Sequence, residues 1–226
     1  MIEYKIASVD SIIVYFANSI SKHSVAKVQY NYAILKQLKN SAILDLTPSY
    51  TSILIHFDLS RYDCDSFIDY LKKTLCFDVK EETKKGRLVD IPIYYDKEVG
   101  FDLDRISKLS NLGIEEVIEL HSSAIYSVYT IGFLPGFAYL GEVDAKIATP
   151  RLSTPRTKIP KGSLGIADNQ SAIYPIASPG GWNIIGRTYL DMFDKTLDGF
   201  SYLNVGDRIK FKPIGRDEFI KNGGVI

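Results

Sequence analysis

The sequence predicts two architectures in one chain: an α+β domain over residues 1–85, then a mostly-β domain over residues 86–226. Three observations carry that reading. The first 85 residues hold one proline, Pro48, and no glycine. Residues 132–187, about a quarter of the chain, hold eight of the sixteen glycines and six of the nine prolines, a density that excludes long helices and signals turns between short strands. The charged stretch Lys80-Glu81-Glu82-Thr83-Lys84-Lys85-Gly86 separates the two compositions as a natural linker.

The elements follow in order. Ser11–Phe16 is β-branched and aromatic and reads as a buried strand. Val25, Val28, Tyr32, Leu35 and Leu38 recur at helical spacing, which predicts a helix over about 24–39 with Asn40 as its terminator. Ala42–Leu46 and Ser52–Phe57 read as strands around a Thr47-Pro48-Ser49 turn. Asp63 or Asp65 caps a second helix that carries Phe67, Ile68, Leu71 and Leu75. A further strand falls at Leu88–Tyr94, and the resulting order suits a ferredoxin-like α+β sandwich. The same strand opens the second part, with short helices at about 102–110 and 114–121. From Ile125 onward the pattern is β throughout, ending in an alternating strand at Arg208–Lys212. Many short strands with regular Gly/Pro turns suggest a small barrel or sandwich.

Composition narrows the function. Lys+Arg and Asp+Glu both number 27, so the chain lacks the broad basic excess of a nucleic-acid binder. No apolar run is long enough for a membrane span, and Glu3, Lys5 and Asp10 interrupt the N-terminal stretch against a signal peptide. Cys64 and Cys76 are the only cysteines and read as packing residues in a reducing cytoplasm. No phosphate loop, dinucleotide fingerprint or nucleophile elbow is present, and His23, His56 and His121 have no metal-ligand spacing, so no metal site is expected.

Three local anomalies remain. Between Lys146 and Arg187 stand six basic residues (Lys146, Arg151, Arg156, Lys158, Lys161 and Arg187) against one acid, Asp168. Three of them follow prolines at five-residue steps, in a stiff, extended segment. In a regular strand that odd step puts Arg151 and Arg156 on opposite faces, so a shared pocket needs a turn or bulge between them. The segment either recognises a carboxylate or phosphate, since guanidinium offers paired donors, or it pairs with surface acids such as Glu142 or Asp144. In Ser178-Pro179-Gly180-Gly181-Trp182, two glycines after proline offer a nest of backbone N–H groups with Trp182 as an apolar wall; the alternative is a tight barrel turn around a buried Trp. In Gly132–Gly141, Phe133, Pro135, Phe137 and Tyr139 line a groove or plug the space under a loop, with Tyr139 the more exposed ring. His121, at the end of a helix, is either a general base or a capping or core residue.

Together, and in this order, Glu116–His121, Gly132–Gly141, Pro150-Arg151…Pro155-Arg156…Ile159–Ser163, Ile173-Tyr174-Pro175, Ser178–Trp182 and Ile185-Gly186-Arg187-Thr188 resemble the PxpB/KipI family, also called allophanate hydrolase subunit 1. The chain departs from the family pattern at Lys161, where a small residue is usual, and at Tyr189, where proline is. The resemblance implies a ferredoxin-like N-terminal domain and a cyclophilin-like barrel without prolyl isomerase activity. It implies work with a larger PxpC-type protein (allophanate hydrolase subunit 2) and a PxpA-type protein, as a bacterial 5-oxoprolinase that opens 5-oxoproline to glutamate at the expense of ATP. ATP, with its Mg, is then bound by or shared with the partner. Arg151, Arg156 and Arg187 are expected to contact anions, with Tyr139, Ser178, Gly180, Gly181 and Trp182 shaping the pocket and His121 a candidate for proton transfer. Two other branches of the family offer alternatives: the carboxyltransferase region of urea carboxylase, and an inhibitor of a sensor histidine kinase that needs an apolar docking groove and no catalysis.

Overall fold

The computed structural model describes residues 3–76, 86–197 and 200–226; most of the expected linker lies outside them. The chain divides into two compact units, Met1–Lys85 and Gly86–Ile226.

The first unit runs β1 (Glu3–Ser8), β2 (Ser11–Tyr15), α1 (Lys22–Gln37), β3 (Ile43–Pro48), β4 (Ser52–Phe57) and α2 (Cys64–Thr74). Its four strands form an antiparallel sheet in the order β1-β2-β4-β3. Alternation decides which face is buried: Ile12 and Val14 of β2 and Ile53, Ile55 and Phe57 of β4 pack with Val28 and Leu35 of α1 and Phe67 and Leu71 of α2. Phe57 stacks on Phe67 with ring centres 4.4 Å apart. Ser21 starts α1 by accepting the Ser24 N–H at 3.1 Å, while the Ser24 hydroxyl accepts the Ser21 N–H at 2.8 Å. Asp63, not Asp65, caps α2 by accepting the Ser66 N–H at 2.8 Å.

Two expectations need correction here, and one strand lies outside the sequence reading. The left-handed residue after α1 is Lys39 (φ 44°), and Asn40 instead accepts the Ala42 N–H at 3.0 Å. β1, one of the two edge strands, goes unread in the sequence: its Tyr4 and Ile6 alternate with Glu3 and Lys5, but the strand is mostly exposed. The strand at Leu88–Tyr94, read as completing this sheet, belongs to the second unit.

That unit runs β5 (Leu88–Tyr94), α3 (Leu103–Ser110), α4 (Ile114–Ser123), β6 (Ile125–Ile131), β7 (Ala138–Gly141), β8 (Arg156–Ile159), β9 (Ser163–Ala167), β10 (Gln170–Ile173), β11 (Ser178–Gly180), β12 (Asn183–Arg187), β13 (Arg208–Ile214) and α5 (Arg216–Lys221). Seven strands close into a barrel in the order β10-β7-β6-β13-β5-β12-β9, which fits the cyclophilin-like expectation. β5 and β13 pair in parallel, from Leu88 opposite Arg208 to Tyr94 opposite Ile214, and the other barrel pairs are antiparallel. α5 corrects the all-β reading after Ile125. Ile91, Ile93, Val128, Leu140, Leu164, Ile166, Ile209 and Phe211 share one core, joined by Leu103 and Ile106 of α3 and Val117 of α4. No helix among the described residues is long and apolar enough to cross a membrane.

Strand alternation builds the next layer. Leu164 and Ile166 of β9 belong to the main core, so Ser163, Gly165 and Ala167 face the other way. Ala167, Ala172 of β10 and Ile184 of β12 there pack with Phe137, Ile159, Tyr174 and Trp182 as a second cluster. β8 and β11 pair as a two-stranded ribbon, which supplies Ile159 to that cluster.

Candidate ligand-binding cleft

A cleft of about 260 Å³ opens beside this second cluster. Phe133, Phe137, Tyr139, Tyr174 and Trp182 form its aromatic wall, Pro155, Pro179, Gly180 and Gly181 its rim, and Arg151 its one charge. Phe137 anchors the wall, meeting Tyr139, Tyr174 and Trp182 edge-on at 4.9, 5.2 and 5.7 Å between ring centres.

Backbone chemistry explains why these rings converge. The 132–137 turn closes with Gly132 N–H donating to Phe137 O and Phe137 N–H donating to Leu134 O, both at 3.0 Å. Gly136 is required in it: φ is +80°, and a Cβ would lie 2.5 Å from Met192 O. Phe133 also has a left-handed backbone, φ 72°, and its ring is 65% exposed. A bulky residue held there is uncommon and costs backbone strain. Gly180 admits the Tyr174 hydroxyl, which would stand 2.3 Å from an added Cβ. The Trp182 backbone N–H supports that hydroxyl, and burial pushes the phenol up to about 12. Tyr139 is likewise raised by burial, opposed by the charge of Arg151.

Arg151 stands on the irregular segment between Pro150 and Pro155. Asn183 donates to Pro150 O at 3.1 Å just before it, and Leu152 N–H donates to Gly181 O at 2.7 Å just after it. Its guanidinium lies 5.8 Å from the Trp182 ring centre and has no carboxylate partner among the described residues. An unneutralised guanidinium over an aromatic floor suits a small, flat anion.

The other expected site residues are placed elsewhere. Arg156 turns to Asp102, donating from Nη1 and Nη2 at 2.9 and 2.8 Å, so neither Glu142 nor Asp144 is its acid. Asp102 also accepts the Ile184 N–H at 2.7 Å, tying the start of α3 to β8 and β12. Arg187 is buried, donates to Val225 O at 2.7 Å and does not line the cleft. Gly180 and Gly181 form no positive-φ nest: Gly180 pairs with Arg156 in the ribbon and Gly181 O is taken by Leu152. Ser178 is buried in β11, its hydroxyl without a partner among the described residues. Pro135 is exposed outside the cleft.

His121 is fully buried, stacked on Phe211 at 4.9 Å. Ser171 Oγ donates to Gly165 O, so it accepts from His121 Nε2 at 3.0 Å, which leaves Nδ1 to accept from Tyr95 Oη at 2.9 Å. Burial holds this imidazole neutral, with its pKa lowered to about 3. That environment makes it a hydrogen-bonded core residue of the barrel that does not line the cleft. Tyr174, named in the sequence only as part of a motif, joins the cleft through packing that no local spacing signals. Among the described residues no three His, Cys, Asp or Glu side chains cluster to hold a metal ion. Among its described lining residues the cleft offers aromatic faces, two phenol hydroxyls and one guanidinium, and no carboxylate, imidazole or thiol.

The second unit is thus a helix-braced barrel domain with an aromatic, singly charged cleft outside its main core. The chain belongs to the family described as carboxyltransferase domain, subdomain C and D, which matches residues 2–203, and with it to the PxpB/KipI family. It is 32% identical over 214 residues to the 5-oxoprolinase B subunit of Bacillus subtilis (strain 168), covering 90% of this chain and 89% of that one. It is 41% identical over 152 residues to the 5-oxoprolinase B subunit of Haemophilus influenzae, covering 65% of this chain and 71% of that one. Among solved structures, TTHA0988 superposes with a TM-score of 0.80 at 29% identity, over 92% of this chain and 40% of that longer one. The Kluyveromyces lactis urea carboxylase shares the fold, with a TM-score of 0.75 at 19% identity over 97% of this chain and 22% of that one.

Proposed function

We propose that this chain is the B-type component of an ATP-dependent 5-oxoprolinase and presents the small carboxylate substrate from the cleft around Arg151. The observation that carries the reading is the cleft's guanidinium over aromatic walls, without a carboxylate partner among the described residues, in a chain similar along nine-tenths of its length to a protein named as the B subunit of 5-oxoprolinase. 5-Oxoproline is a small ring bearing one carboxylate. Arg151 would take the carboxylate, and Trp182, Tyr139 and Phe137 the ring. The described residues do not fit ATP: the cleft is small, has one basic residue, and no acidic cluster stands ready for Mg. We therefore assign nucleotide, Mg and bond-breaking chemistry to PxpC- and PxpA-type partners in the cytoplasm, and treat the chain alone as inactive. We read the N-terminal sheet as a ferredoxin-like sheet whose fourth position is filled by β1.

The test is reconstitution. Adding this chain to the purified partners is expected to switch on ATP-dependent loss of 5-oxoproline, and Arg151→Ala is expected to abolish turnover while the subunits still associate. Full activity of the partners without this chain overturns the reading. One observation favours the histidine-kinase inhibitor as a second reading: the exposed, backbone-strained Phe133 at the cleft mouth suits docking on a helix bundle. Inhibition of a sensor kinase by the Arg151→Ala variant, with no 5-oxoprolinase activity in the wild-type mixture, would select it.

A further inference from the structure

Arg187 ends β12 five residues beyond Trp182, roughly 16 Å along an extended strand. It is 4% exposed, and its guanidinium carbon lies 5.9 Å from the centre of the Phe101 ring. Nη1 donates to Val225 O, but Nε has no partner among the described residues. No ion pair to Arg187 is found among the described residues, and the acids on neighbouring segments have other cations. Asp102, next to Phe101, binds Arg156; Asp191 binds Lys161 at 2.5 Å; Glu98, hydrogen-bonded to Tyr94, binds Arg216 at 2.9 Å. Burial without a counter-charge pulls the guanidinium pKa below its ordinary value.

Directly opposite Arg187 in the β9–β12 register stands Ser163. It is fully buried, and its hydroxyl also has no partner among the described residues. Opposed residues of an antiparallel pair share a face, with Cβ atoms about 5 Å apart. Two buried polar groups without partners among the described residues thus stand at paired register positions, a condition native interiors avoid unless something bridges them.

The geometry points to a second site, separate from the cleft, in which a small monocarboxylate bridges the Arg187 Nε edge and the Ser163 hydroxyl beneath Phe101. One guanidinium balances one negative charge, and its planar edge matches a carboxylate. A phosphate dianion would keep an unbalanced charge in a buried place.

Thermal unfolding of the full chain in sodium acetate, sodium chloride and sodium phosphate at equal ionic strength tests this. Because acetate can also enter the cleft, the Arg151→Gln variant is the reference. In it, acetate at tenfold excess over its Kd is expected to raise the melting temperature by about 3–6 °C relative to chloride. Adding Ser163→Ala, a small change that spares the fold, is expected to weaken acetate binding at least tenfold, and adding Arg187→Gln to abolish it. The site is rejected if acetate acts no better than chloride, as when a water bridges the pair, or if Ser163→Ala leaves the shift unchanged. Equal stabilisation by phosphate overturns the carboxylate assignment. Loss of the acetate effect on introducing Arg151→Gln would place the binding in the cleft alone and also reject the second site.

Discussion

Asp102 grips Arg156 with both carboxylate oxygens across 54 residues of sequence, at 2.8 and 2.9 Å, while also receiving the Ile184 N–H. The pair is mostly buried, with 6% of the Asp102 side chain and 29% of the Arg156 side chain exposed. Arg156→Ala leaves a buried carboxylate without its cation, and is expected to cost about 3 kcal/mol in chemical denaturation. Affinity in the Arg151 cleft, measured where the variant is folded, should fall far less than in Arg151→Ala.

Arg151 is exposed and makes no ion pair among the described residues, so Arg151→Ala should change stability by no more than about 0.5 kcal/mol. Its effect belongs to binding. Trp182 is the only tryptophan and lies on the cleft wall, so its emission reports the cleft directly. Titration with 5-oxoproline is expected to change that emission in the wild type, with at least a tenfold weaker response in Arg151→Ala.

His121 gives the barrel a pH dependence of known sign. Its pKa is near 6.5 when unfolded and about 3 when buried. Between those values the unfolded chain holds the extra proton. The neutral histidine's contribution is therefore whole above pH 6.5 and drains away as pH falls toward 3, at up to about 1.4 kcal/mol per pH unit. His121→Gln should flatten the fall between pH 6 and 4, whatever it does to stability at neutral pH. Parallel denaturation curves for wild type and variant in that range would refute this.

Phe133 keeps a left-handed backbone that asparagine adopts more easily. Phe133→Asn loses the edge contact with Phe137 at 5.4 Å and gains backbone ease, so stability should stay within about 1 kcal/mol. Ligand or partner affinity should drop severalfold if the strain is kept for function. Calorimetry beside the Trp182 titration separates the two.

The sequence announced what local chemistry controls. α1 and α2 were legible from the spacing of Val28 and Leu35 and from the Asp63 cap, and the cleft wall from the crowding of Phe133, Phe137 and Tyr139 and from Trp182. β1 escaped because it is a mostly exposed edge strand with only Tyr4 and Ile6 as its short apolar alternation, and α5 because its six residues bury only Phe219. The arginines were harder still. Their type suggested anion binding, but the acceptors that decide their roles, Asp102 for Arg156 and Val225 O for Arg187, lie 54 and 38 residues away. Composition cannot separate a guanidinium tied down inside the fold from one left open at its surface.

The parallel pairing of β5 with β13 sets the order in which the chain can assemble. Leu88 meets Arg208, and Arg87 clasps Asp207 120 residues later, so the first barrel strand waits for the last. On the ribosome, β5 must stay without this neighbour until Arg208–Ile214 has emerged, about 120 residues later. Contacts of such long sequence separation slow folding and leave strand edges open to wrong partners meanwhile. Synthesis rate and chaperone supply should therefore govern the soluble yield of the second unit more than that of the first, whose hairpins join near neighbours.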